Sequence, residues 1–203
     1  MTRLRMLRFA LWGLVGLAVV GASGLAAWRA WAPASPPVVE EEALVGGSFE
    51  LVDGRGETVT HADFVGRPFV IFFGFTHCPD ICPTSLFEMS QWIEALGPAA
   101  ERLRFAFVTV DPERDTPAVM RDYVAAFDER IIPLTGSEAQ VERVLDAYRV
   151  YAKKVPLEGG GYTMDHSAFV YLMDARGRYR THITYGEASE RAVAKLRELA
   201  AGA

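Results

Sequence analysis

The sequence predicts an α/β domain with one central mixed sheet flanked by helices, and three observations carry that reading. Residues 68–75 and 105–110 are near-continuous apolar runs, the pattern of strands buried on both faces. Each run is followed by residues that read as a helix, so strands and helices alternate through the first half. The C-terminal part reads as a strand pair closed by a last helix. A chain of 203 residues, half of them hydrophobic, suffices for one well-packed domain and not for two large ones.

The elements begin near Leu44. Residues 48–53 and 57–60 flank Gly54-Arg-Gly56, a hairpin signal. After the strand at 68–75, Leu86, Met89, Ile93 and Leu96 fall at helical spacing over 83–96, and Gly97 and Pro98 stop that helix. The strand at 105–110 ends in Asp111 and Pro112. Thr116 before Pro117 is a natural cap for a helix reaching about Phe127. A short strand at 131–134 precedes Ser137 and Gln140, which can form a capping box for a helix ending near Tyr148. Residues 150–155, 168–174 and 179–184 read as strands, the last two joined by a turn at Ala175-Arg-Gly177. A helix over 189–199 closes the domain, which is taken as residues 44–203.

Ahead of it, residues 9–28 are 20 residues without a charge. At about 1.5 Å per residue they span a hydrocarbon core of about 30 Å. They read as a transmembrane anchor rather than a signal peptide, although Ala30-Trp-Ala32 has the spacing of a cleavage site. Arg3, Arg5 and Arg8 form a basic head over residues 1–8, which the positive-inside bias keeps in the cytoplasm. Residues 29–43, with Pro33-Ala-Ser-Pro-Pro37 and three glutamates, read as a solvated linker. The short basic head points to a bacterial inner membrane crossed once, with the domain in the periplasm. Setting aside the four arginines around the span leaves 17 basic against 26 acidic residues. So acidic a domain offers no face for nucleic acid, and none is expected as a partner.

The chain's two cysteines, Cys78 and Cys82, lie where a buried strand hands over to a helix, the usual place for sites in open α/β sheets. Pro79 and Pro83 disfavour helical geometry for the cysteine before each, so both thiols are expected on a turn at the helix N-terminus. There the helix dipole and unpaired N–H groups favour thiolate. A disulfide between them would close too short a loop to stabilise the chain much, so a structural staple is a poor explanation. Thiolate serves both disulfide exchange and soft-metal binding. Three intervening residues let two sulfurs splay around one ion, and two thiolates with one imidazole suit Cu(I) better than zinc's closed four-ligand site. His166, in Tyr162-Thr-Met-Asp-His-Ser167, is the best third donor if the strand that follows it neighbours the strand at 68–75. His61, His77 and His182 read as structural or exposed, though His77 adjoins Cys78. Met164 reads as packing, Asp80 as a turn aspartate or a steering charge, and 111–115 as helix capping or part of the site rim.

Taken together, Gly74-Phe-Thr-His-Cys-Pro-Asp-Ile-Cys-Pro83, Val110-Asp-Pro-Glu-Arg-Asp-Thr-Pro117 and Asp165-His-Ser167 resemble the Sco/SenC copper proteins, over about residues 44–199. The resemblance implies a thioredoxin-like fold with added elements. It implies copper held by Cys78, Cys82 and His166, with Cu(I) expected from the donor set and Cu(II) left open beside it. It further implies a role in assembling the dinuclear CuA centre of cytochrome c oxidase subunit II, as metallochaperone or as thiol reductant of that site. Cys-x-x-x-Cys instead of Cys-x-x-Cys, and Asp165-His166 where thioredoxins carry a cis-proline, separate the sequence from general exchange enzymes. A membrane-anchored thiol–disulfide oxidoreductase with Cys78 and Cys82 as its redox pair, a redox sensor and a peroxidase stay open beside the metallochaperone. Because copper needs the reduced pair in an oxidising compartment, a thioredoxin-like reductant is an expected partner, and a second copper chaperone is another.

Overall fold

In the computed structural model the described residues are Trp12, Leu17, Gly21 and 45–202. The basic head, the anchor and the linker expected from the sequence lie outside them, apart from those three single positions. Among the described residues no helix is long and apolar enough to cross a membrane. The chain divides into two units, Met1–Glu42 and Ala43–Ala203, and the fold is that of the second.

Its main sheet has seven strands in the order β2-β1-β5-β4-β3-β8-β9. These are β1 (Glu50–Asp53), β2 (Thr58–Thr60), β3 (Phe69–Gly74), β4 (Arg104–Thr109), β5 (Ile131–Thr135), β8 (Val170–Met173) and β9 (Tyr179–Ile183). The three central strands β3, β4 and β5 run parallel and the flanking pairs antiparallel, so the sheet is mixed, as expected. Every residue of β3 is buried, which is why its sequence is unbroken Phe-Val-Ile-Phe-Phe-Gly rather than alternating.

The helices are α1 (His61–Phe64), α2 (Ile81–Leu96), α3 (Pro117–Ala125), α4 (Glu138–Ala147) and α5 (Ser189–Ala201). Short α1 is not foreseen from the sequence; the reciprocal bonds of Thr60 and Asp63 cap it and Phe64 buries it. Thr116 caps α3 by accepting from the Val119 N–H, and Ser137 with Gln140 boxes α4, both as the sequence predicts. Leu86, Met89, Ile93 and Leu96 are the buried face of α2, which packs on α5.

One expectation needs correcting. The strand read at 150–155 does not join the central sheet. It is β6 (Ala152–Pro156), paired antiparallel with β7 (Tyr162–His166) in a separate two-stranded sheet. Lys153 and Lys154 are exposed, so this segment has no apolar face with which to enter a core. The 157–161 turn that joins the two strands uses Gly160 and Gly161 at positive φ. His166 therefore ends a hairpin of its own and does not merely lead into β8.

Candidate metal centre

The site forms at the C-terminal end of β3. Gly74 pairs with Thr109 of β4 there, and the chain then turns through Thr76 and His77 into Cys78. Asp115, fully buried, fixes that turn. Its carboxylate accepts from the Thr76 N–H at 3.1 Å, the Thr76 hydroxyl at 2.6 Å and the Thr109 hydroxyl at 2.6 Å. Its backbone carbonyl accepts from Thr135 at 2.7 Å, tying the same point to β5. The Asp-Pro-Glu-Arg-Asp segment thus holds the site from beneath as well as preceding a helix.

The two thiols differ. Cys78 is half-buried on the turn, whereas Cys82 is buried inside the first turn of α2, which begins at Ile81 with Asp80 as its cap residue. The expectation that both sit on a turn fails for Cys82. Pro83 is tolerated in the first turn because its missing N–H has no helical partner to lose, and this outweighs its bias on the preceding residue. Both cysteines are free thiols. The Cys82 S–H donates to Cys78, which holds Cys78 far below the usual thiol range, to about 3; burial opposes the shift, and the His166 side chain and the backbone N–H groups of Cys82 and Asp80 support it. Of these, the Cys82 N–H lies 3.4 Å from the Cys78 sulfur. The same shared proton, reinforced by burial, pushes Cys82 far above the thiol range.

His166 reaches this pair from the hairpin. Its Nε2 lies 3.6 Å from Cys82 Sγ, and β3 and β8 are neighbours, as the sequence argument required. Nδ1 lies 2.9 Å from the Ser167 carbonyl. A carbonyl only accepts, so Nδ1 carries a proton; in that tautomer of the neutral ring, Nε2 is the nitrogen free to bind a metal. The ring stands edge-on to Phe75, centroids 5.7 Å apart. For metal–sulfur and metal–nitrogen bonds of about 2.3 and 2.0 Å, trigonal or tetrahedral angles place the two donors about 3.5–3.7 Å apart, which the observed contact matches. Among the described residues no three His, Cys, Asp or Glu side chains form a finished metal cluster. The donors are adjacent and unclosed.

Other candidates fall away from the sulfurs. His77 faces Thr76 and Asp115. His61 packs between Phe49 and Phe69, where burial lowers its pKa, and His182 bonds Tyr179. Met164 packs against the core. Sequence reasoning undervalued Arg114 and Tyr162. The Arg114 guanidinium lies 3.9 Å over the Tyr162 ring, donates to the Tyr162 carbonyl at 3.0 Å, and pairs with buried Asp111, which also accepts from the Tyr162 hydroxyl at 2.8 Å. The alternation of Tyr162, Met164 and His166 beside a glycine run was the available signal.

This is an α/β thioredoxin-like domain that presents a Cys-x-x-x-Cys pair on a strand-to-helix turn, with a histidine added by a separate hairpin. The SCO1/SenC family profile matches residues 38–201, and the chain belongs to that family. It is 41% identical over 147 residues to an SCO2-like protein of Rickettsia felis, covering 71% of this chain and 72% of that protein. A structure of Bradyrhizobium japonicum ScoI with copper bound is 48% identical and superposes with a TM-score of 0.72, covering 76% of this chain and 99% of the other. BsSco, described as having a disulfide switch and as a member of the Sco family of cytochrome c oxidase assembly proteins, shares the fold at 21% identity and a TM-score of 0.62, over 78% and 96% of the two chains.

Proposed function

We propose that this protein holds copper between Cys78, Cys82 and His166 and works in the assembly of cytochrome c oxidase, delivering copper to the CuA centre of subunit II. The contact between Cys82 Sγ and His166 Nε2 at 3.6 Å carries the reading. It supplies the imidazole that disulfide exchange does not need and a soft-metal site does. Copper bound by the 48% identical ScoI supports the same donor chemistry here. An anchor at residues 9–28 would keep the domain on the periplasmic face, near a membrane-bound oxidase. Copper is cargo in this account. Cys78 offers it a ready thiolate, Cys82 gives up its proton on binding, and the Ser167 carbonyl holds the ring in the binding tautomer.

The test is a copper titration of the reduced full-length chain, wild type beside His166→Ala. One copper per chain, held at least tenfold less tightly by the variant, is expected. Equal affinity removes His166 from the ligand set.

The unequal thiols favour a second reading, reduction of a partner's disulfide. The Cys78 thiolate attacks one partner sulfur, forming a mixed disulfide and releasing the other partner sulfur as thiolate. Cys82, deprotonated, then attacks Cys78, closing the Cys78–Cys82 disulfide and releasing the second partner thiol. Each cycle consumes two electrons that a thioredoxin-like reductant must return. Reduction of an oxidised CuA-site peptide by the metal-free chain, unchanged in His166→Ala, is the expected result if this is the main activity.

A further inference from the structure

We infer that Arg114 is a positioning residue for His166, acting through Tyr162 and Phe75, an inference that rests on the three-donor reading above. Tyr162, Met164 and His166 are alternate residues of β7 and share one face of that strand. Met164 packs on the core and His166 meets the cysteines, so Tyr162 is the remaining anchor of that face. At about 3.3 Å per residue it stands roughly 13 Å from His166 along the strand.

Asp111, Arg114 and Tyr162 form a closed triangle in which each touches the other two. Arg114 pairs with the Asp111 carboxylate, the Tyr162 hydroxyl donates to the other oxygen of that carboxylate at 2.8 Å, and Arg114 donates to the Tyr162 carbonyl at 3.0 Å while covering its ring at 3.9 Å. The guanidinium carbon also lies 5.9 Å from the centre of the Phe75 ring, the ring that stands edge-on to His166. Arg114 therefore meets both supports of the imidazole, the strand that carries it and the aromatic wall beside it. β7 has no ladder bonds to the main sheet, so such contacts must set where His166 stands. A second pair, Lys154 with Glu113, ties β6 to the same loop, but it is exposed and constrains little.

The experiment compares Arg114→Lys and Tyr162→Phe with wild type in the full-length chain. Lysine keeps the charge but loses the planar fork and the stack. In the metal-free protein, the nuclear Overhauser contact between the His166 and Phe75 rings is read first. It should weaken clearly in Arg114→Lys and partly in Tyr162→Phe. Copper affinity should then fall about 10–100-fold in Arg114→Lys, while Cys78 alkylation stays within about twofold of wild type. An unchanged ring contact overturns the proposal, whatever the affinity. So does a parallel loss of Cys78 reactivity, which marks general loosening. The ring contact needs no copper, so it decides the positioning role even if His166→Ala binds copper normally and the three-donor reading fails.

Discussion

Gly74 lies directly against the sulfur of Cys82: a Cβ built on it would stand 2.8 Å from Sγ and 2.8 Å from the Phe107 ring. No side chain fits between the last residue of β3 and the buried thiol. Gly74→Ala should therefore displace the Cys82 sulfur from its place beside His166 or shift the Phe107 ring, and cost about 1–3 kcal/mol as an overpacked core position. Denaturant unfolding and a copper titration of the same variant check both effects. Wild-type values for both would show that the sulfur has room to give.

The Cys78 thiolate depends on the Cys82 S–H. With its pKa near 3, Cys78 should react with iodoacetamide about as fast at pH 5 as at pH 7, and Cys82 hardly at all. Cys82→Ala removes the donor. Cys78 should then move up toward the ordinary thiol range, and its rate at pH 5 should fall at least tenfold below its rate at pH 8. Peptide mapping of the alkylated protein measures both rates.

Asp115 accepts three hydrogen bonds in a site with no water access, so Asp115→Asn puts an amide group where acceptors are required. A loss of about 2–3 kcal/mol in unfolding free energy is expected. Copper affinity should fall with it, because Thr76 leads straight into Cys78. If stability drops while copper binding holds, the turn keeps its shape without this carboxylate.

The two hairpin turns of the main sheet share one device. Asp53 accepts from the Arg55 and Glu57 N–H groups, and Asp174 from those of Arg176 and Arg178. Burial tends to raise both carboxyls, but these bonds and the guanidiniums of Arg55 and Arg178 prevail and hold both below the usual aspartate value. A depressed folded-state pKa contributes stability above the unfolded value of about 3.9, and the contribution is lost as pH falls through the folded value. The contribution of these two carboxylates should be level above about pH 5 and decline toward pH 3. An Asp53→Asn/Asp174→Asn variant should show less of that decline in urea titrations across the range.

The sheet was legible because its signals are local. The apolar run at β3, the turns at Gly54-Arg-Gly56 and Ala175-Arg-Gly177, and the Thr116 and Ser137 caps each write one element in a few residues. The proximity of the three proposed donors was legible for a similar reason: two cysteines beside prolines after a buried strand leave few alternatives, and His166 followed from β8 lying next to β3. What was hidden is relational. β6 was readable as a strand at 150–155, but β7 is short and half-exposed, and the pairing of the two in a sheet of their own is declared by neither alone. The Arg114–Tyr162 stack joins residues 48 apart, and Asp111 looked like a helix-capping residue because its hairpin partner is far along the chain. Cys82 went into the helix because a first-turn proline costs less than the local bias implied.

His166 follows Cys82 by 84 residues, and that separation sets a timetable for a chain made from its N-terminus. At about 5–20 residues per second, the cysteines emerge roughly 4–17 seconds before the imidazole. During that interval, the nascent chain offers an unpaired dithiol to its surroundings and no three-donor site. If the domain is exported into an oxidising compartment as that chain emerges, the pair meets oxidants before His166 can join it. On the proposed reading, newborn molecules should then begin as the disulfide, and reduction would precede copper binding in each copy.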